Sequence, residues 1–162
     1  MGATPPATSS AAIADTRASQ FVQQLGVGNL FEIDSGNLAL QKSSNEQIKS
    51  FAQDVTGDRA KAAAQLSATV RKANDLVAPP AYLDSKHVEM LEALRLLAGP
   101  QFDSQYAQDE VEDEDATLVL LQSYLRDGDR EQLKQLINQL LPVITHDLQM
   151  AKQVAAIESG AK

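Results

Sequence analysis

The tightest constraint on this chain is the spacing of its apolar residues, which recur every three or four positions through four long stretches. That period places one side of each stretch on a single face of an α-helix. The first helix is expected from about Thr16 to Lys42, with Asp15 as its N-cap. Its inward stripe is Phe21, Leu25, Gly28, Glu32, Ser35 and Ala39. Ser43-Ser44-Asn45 interrupts it, and Ser44 with Gln47 spells a capping box for the next helix. The second helix reaches about Leu76 on a stripe of Ile48, Ala52, Val55, Arg59, Ala62, Leu66 and Val70. The third long helix spans about Gln101 to Arg126, lined by Tyr106, Glu110, Glu114, Thr117, Leu121 and Tyr124. Asp127-Gly128-Asp129 stops the chain and restarts it. The last helix runs from Arg130 to about Ile157 on Leu133, Leu136, Leu140, Val143, His146, Met150 and Val154.

The breaks between these helices are unequal, and the inequality sets the topology. Two of them are tight turns, which imply two antiparallel helical hairpins. Between the hairpins, Ala78-Pro79-Pro80 ends a helix firmly, because proline cannot donate and restricts its predecessor. Asp84 then caps a short helix from Ser85 to about Leu97, with Val88, Leu91, Leu94 and Leu97 on its apolar side. Gly99-Pro100 opens the third long helix. This connection of roughly 24 residues is long enough to travel the length of a bundle. The expected fold is therefore all-α, a ferritin-like four-helix bundle with a long crossover carrying a short extra helix. Residues 15–158 form one domain in this reading, and the Ala/Pro/Ser/Thr-rich residues 1–14 form a disordered tail.

Composition agrees and removes several functions. Hydrophobic residues make up 43% and aromatics 4%, which suits helix-on-helix packing. The net charge of −8, with no Lys/Arg cluster, argues against nucleic-acid binding. Without cysteine there are no disulfides, thiolate metal ligands or Cys nucleophiles. No apolar run approaches the ~20 residues of a membrane span. No Ser-His-Asp or Cys-His arrangement stands out, so an enzyme is not expected.

The chemistry-bearing feature is a polar residue near the middle of each inward stripe. These are Glu32 on the first helix, Arg59 (beside Asp58) on the second, Glu110 and Glu114 on the third, and His146 on the fourth. Counted from their turns at 1.5 Å per residue, the groups of each hairpin are offset by about one helical turn. A buried charge left alone costs several kcal/mol, so these groups must pair, hold a metal or turn to solvent. Carboxylates and imidazoles from facing helices are how bundles build iron or manganese sites, although the usual Glu-x-x-His pair is absent here. Other signals read as structural. His87 is expected at the surface, and Glu112, Asp113 and Asp115 on a solvated face. Gly26, Gly28 and Gly36 suggest close approach of a neighbouring helix. Pro142 suggests a kink that aims His146 inward. Phe102 and Tyr106 are expected in the core, the latter with its hydroxyl hydrogen-bonded.

Several segments resemble a known family: Phe51-Ala52, Asp58-Arg59 and Leu66; Phe102-Asp103-x-x-Tyr106; and Leu141-Pro142, His146 and Ala151-Lys152. In order and spacing they are similar to the bacterial ferritin-like proteins of the domain-of-unknown-function 4142 family. The resemblance implies an exported, periplasmic protein and a metal-capable cluster of a helix-one Glu, an Asp-His pair on helix two and histidines on helices three and four. Glu32, Asp58 and His146 match that pattern, whereas Arg59 and Glu114 stand where it has histidines. A guanidinium cannot ligate a metal but can occupy a cation's place among carboxylates. The leading expectation is a non-enzymatic protein without cofactor, in which Glu32, Asp58, Arg59, Glu114 and His146 form an internal ion cluster. The alternative is a metal-binding protein holding iron, manganese or zinc on Glu32, Glu110, Glu114 and His146. A protein partner bound on a face of the bundle is a further expectation.

Overall fold

The structure is a computed structural model that describes residues 16–160. The expectations of a tail at residues 1–14 and of a cap at Asp15 lie outside the described residues. Helix α1 spans Arg17–Lys42, α2 Glu46–Ala73, α3 Ser85–Leu96, α4 Gly99–Asp127 and α5 Glu131–Glu158. Side chains that satisfy orphan backbone donors set most of the starts. Thr16 accepts from the Ser19 N–H at 3.1 Å, and Asp84 accepts from the His87 N–H at 2.9 Å. The cap of α2 is Asn45, bonded to the Gln47 N–H at 2.9 Å, rather than the expected Ser44 box. A carboxamide oxygen two residues ahead reaches that donor directly. At the other end α2 stops at Ala73, because Asn74 takes the left-handed conformation at φ 59°.

Contacts at the helix ends fix the topology. Arg17 of α1 donates to the Asp127 carbonyl at the end of α4, and Lys42 lies 5.5 Å above the Phe102 ring at its beginning. α1 and α4 are therefore antiparallel. Asn45 bonds Glu158 at 2.7 Å, and Arg130 pairs with Asp75 at 2.6 Å, so α2 and α5 are antiparallel too. The crossover climbs α1 from one end to the other. Gln23 donates to the Ala78 carbonyl at 2.9 Å, His87 stands over Phe31, and Lys42 donates to the Arg95 carbonyl at 2.6 Å. α2 and α4 consequently run parallel, which is the ferritin-like arrangement.

The apolar core comes in two parts. Phe21, Leu25, Leu66, Leu121, Tyr124, Leu133 and Leu140 fill one end. Ile48, Phe51, Val55, Phe102, Tyr106, Ala151 and Val154 fill the other. Phe102 and Tyr106 stack with centroids 6.0 Å apart and rings 4° from parallel. Between the two lies a polar layer. The short helix holds on more lightly: Leu91 and Leu94 are buried, whereas Val88, expected on the apolar side, is 43% exposed. None of the described helices is long and apolar enough to cross a membrane.

Two glycines give this packing a sharp test. A Cβ on Gly26 would stand 2.5 Å from Pro80 Cδ and 3.2 Å from Pro79 Cβ, so the crossover leans directly on α1 there. Gly57 is exposed, with nothing within 4 Å of a Cβ. Alanine ordinarily gains up to about 1 kcal/mol over glycine inside a helix, and overpacking costs about 1–3 kcal/mol. In urea denaturation, Gly57→Ala should stabilise by about 0.5–1 kcal/mol and Gly26→Ala should destabilise. Stabilisation by both changes would contradict the seating of the crossover.

Candidate functional site

The polar layer is built by side chains one helical face deep on α1, α2, α4 and α5. Glu32, Arg59, Glu110 and Glu114 have no exposed surface, and Asp113 and Asp147 have almost none. The anchor is an ion pair, with Arg59 Nη2 2.7 Å from Glu114 Oε2 and both side chains fully buried. Arg59 Nη1 also donates to Asn29 Oδ1 at 3.3 Å. On the neighbouring side, Ser35 Oγ donates to Glu110 Oε1 at 2.8 Å. Among the described residues no N–H or hydroxyl donor reaches either oxygen of Glu32.

The electrostatics arise from one cation among several acids in a dry layer. Burial works against the Arg59 charge, but the acids around it, Glu114 foremost, more than offset that and raise its pKa. Burial pushes Glu32 well above the usual carboxylate range, and neighbouring Glu110 pushes it further. Glu32 therefore keeps a proton, which it donates to Glu110. Burial lifts Glu110 to about 7, and it lifts Glu114 to about 8 even though Arg59 pulls the other way. Asp147 is raised to about 6, again chiefly by burial. The Tyr106 hydroxyl, buried beside Glu110, is pushed well above its ordinary value and stays a phenol. The layer holds its charge balance with one guanidinium and with protons on carboxyls.

Several expected members lie elsewhere. His146 is exposed on α5, and the buried position beside it is Asp147. The inward stripe after Leu140 is Ile144, Asp147, Ala151 and Val154, one residue out of phase with Val143, His146 and Met150. Pro142 does not turn His146 inward, since α5 continues through it as one helix. Asp58 sits at the surface of α2 and pairs with Lys61 at 3.0 Å. Arg59 thus holds Glu114 directly, while Glu32 pairs with Glu110 through its proton. Asp113 is buried rather than solvated, and His87 is 12% exposed and bonded to it rather than lying at the surface. Both corrections have one cause: α3 covers a second face of α4, which the stripe spacing does not reveal.

The residues present do not fit a resident metal. The guanidinium occupies the carboxylate face of Glu114, the imidazole of His146 points away, and Glu32 and Glu110 share a proton. Among the described residues no three His, Asp or Glu side chains are arranged to hold a metal ion. A separate cleft of about 320 Å³ opens between α2 and α5, lined by Asp54, Asp58, His146, Asp147 and Met150.

Because Glu32, Glu110, Glu114 and Asp147 hold protons more tightly folded than unfolded, their contribution to stability is complete below the ordinary carboxylate range. It is lost as pH rises through the raised values. The chain should accordingly resist urea better at pH 5 than at pH 8. Arg59→Met should cost about 3–5 kcal/mol and, by removing the cation that holds Glu114 down, should carry the loss of stability with rising pH beyond the parent's value near 8. Equal denaturation midpoints at the two pH values would contradict the buried carboxyl layer.

Comparison with known proteins places this architecture. No curated protein matches the chain in sequence. Two solved structures are similar in fold at 16% identity. A DUF305 fragment from Deinococcus radiodurans aligns over 93% of this chain and 99% of its own, with a TM-score of 0.72. CopM in the Cu(II)-bound form aligns over 83% of this chain and 93% of its own, with a TM-score of 0.69. At that identity the likeness concerns the fold. In sequence, residues 3–154 match the family described as Domain of unknown function (DUF4142). That match takes in nearly the whole chain, and the protein belongs to the DUF4142 family.

Proposed function

We propose that this protein is a non-enzymatic, extracytoplasmic helical-bundle protein whose ferritin-like centre is degenerate, with Arg59 standing in the place of a metal ion. One observation carries the reading: a fully buried guanidinium 2.7 Å from a fully buried carboxylate, at the level where facing helices of such bundles place metal ligands. A permanent cation there offsets carboxylate charge without an inorganic ion. The centre then serves the architecture, and the outer faces are left for a protein partner. The exported location is what the family resemblance implies, and fractionation of cells making the full chain tests it.

A second reading, metal binding, is favoured by the cleft between α2 and α5. There Asp54 and Asp58 face His146 and Met150, four residues apart on each helix, and the fold is shared with a protein solved in a Cu(II)-bound form. Those side chains do not converge as they stand, so an ion would have to draw them together. One experiment separates the readings. The purified protein and its Arg59→His variant are titrated with iron, manganese, zinc and copper, and bound metal is counted after desalting. No stoichiometric metal on the parent and clear uptake by Arg59→His is the expected result. Uptake by the parent that disappears in His146→Ala would replace the first reading with the second.

A further inference from the structure

The crossover helix seats the chain's other histidine against the acidic centre. His87 Nδ1 lies 2.6 Å from Asp84 Oδ1, and Nε2 lies 2.9 Å from Asp113 Oδ1. Its ring packs 5.1 Å from the Phe31 ring of α1. A neutral imidazole has one N–H, so between two carboxylates one contact would set lone pair against lone pair. The imidazolium donates to both. Asp113 is the wall between His87 and the core: it is 6% exposed, its Oδ2 receives no hydrogen bond from the described residues, and its charge reaches Glu32 and Arg59. Beside it a cleft of about 150 Å³, lined by Gly28, Asp84, His87, Asp113 and Thr117, opens toward the surface.

We propose that His87 is the second internal cation of the centre, and that the crossover helix is a pH-controlled lid. It docks while His87 is charged and is released when His87 gives up its proton. The proposal rests on the reading of the centre as one compensated by protein cations, but on different groups: Arg59 offsets Glu114, and His87 offsets Asp113. From α3 and its cap His87 faces Asp84, and adjacent Lys86 is taken up by Glu112 at 2.9 Å. From α4 it faces Asp113, and from α1 the Phe31 ring. The hydrogen bond to Asp113, followed by that to Asp84, holds the imidazole above its ordinary value against the pull of burial. An unfolded histidine titrates near ~6.5, so docking is fully stabilised below that pH and loses the contribution as pH rises through the higher folded value. Leu91 and Leu94 are the buried apolar anchors of α3, and its other polar ties, Lys42 on the Arg95 carbonyl and Lys86 on Glu112, lie at exposed positions and do not titrate near neutral pH.

The chain has two histidines, so imidazole C–H signals in NMR resolve His87 cleanly. His87 should titrate above ~6.5. Amide protection in α3, corrected for intrinsic exchange, should fall about tenfold across that titration relative to amides of Leu133–Leu140 in α5. Asp113→Asn should bring the His87 titration down, and His87→Gln should remove the extra pH dependence of α3. Titration of His87 at or below ~6.5, or α3 protection that follows α5 at every pH, would overturn the lid. Neither result bears on metal uptake by Arg59→His, so the two proposals fail separately.

Discussion

Arg59 carries a charge that no ordinary pH removes, at a position where no water reaches it. Taking a guanidinium out of water costs several kcal/mol unless the surroundings return comparable interactions, and the middle of this bundle is arranged to return them. Glu114 meets the guanidinium from α4, and Asn29 supplies an oxygen from α1. Burial, and then the neighbouring Glu110, makes Glu32 retain a proton, and Glu110 accepts it together with a bond from Ser35. The division of the apolar core into two parts is a consequence of this layer, since residues that hydrate or pair charges cannot also be replaced by Leu and Phe at the same level.

The sequence discloses the layer where a stripe is unambiguous. On α1, Glu32 stands among Leu25, Gly28, Ser35 and Ala39, and on α2 Arg59 stands between Val55 and Ala62, so each polar residue has one possible face. Glu110 and Glu114 come after Tyr106 at four-residue intervals and are equally plain. On α5 the pattern is degenerate. Leu140, Leu141, Val143, Ile144, Leu148, Met150 and Ala151 offer apolar residues in two adjacent phases, and a period of 3.6 does not choose between them. The phase through Val143 and Met150 puts His146 inside and Asp147 out, and packing against α2 decides the reverse. Asp113 and His87 are hidden for another reason. Their burial depends on α3 lying over α4, a contact between segments 26 positions apart that no local pattern encodes.

Fold and chemistry separate in this family of shapes. The chain shares its architecture with CopM and a DUF305 fragment at 16% identity, so most aligned side chains differ. What the shared form provides is a set of facing positions at mid-height on four helices. Those positions accept metal ligands in some bundles and an ion pair here, and the fold alone does not choose between them.

A buried ion pair is a weak source of net stability, since well-packed apolar residues often do as well. Its stronger effect is on register. Arg59 on α2 and Glu114 on α4 belong to different hairpins, so their contact sets the height of one hairpin against the other across the long crossover. Sliding either hairpin by one turn, about 5.4 Å, would carry the guanidinium to the level of Thr117 in one direction, where it meets no carboxylate, and to Glu110 in the other, where Glu114 is left without its partner. The apolar stripes tolerate such a slip because Leu, Val and Ala recur along them, but the charged layer does not. The same pairing that a metal ion would impose by coordination is imposed here by the cost of stranding one charge.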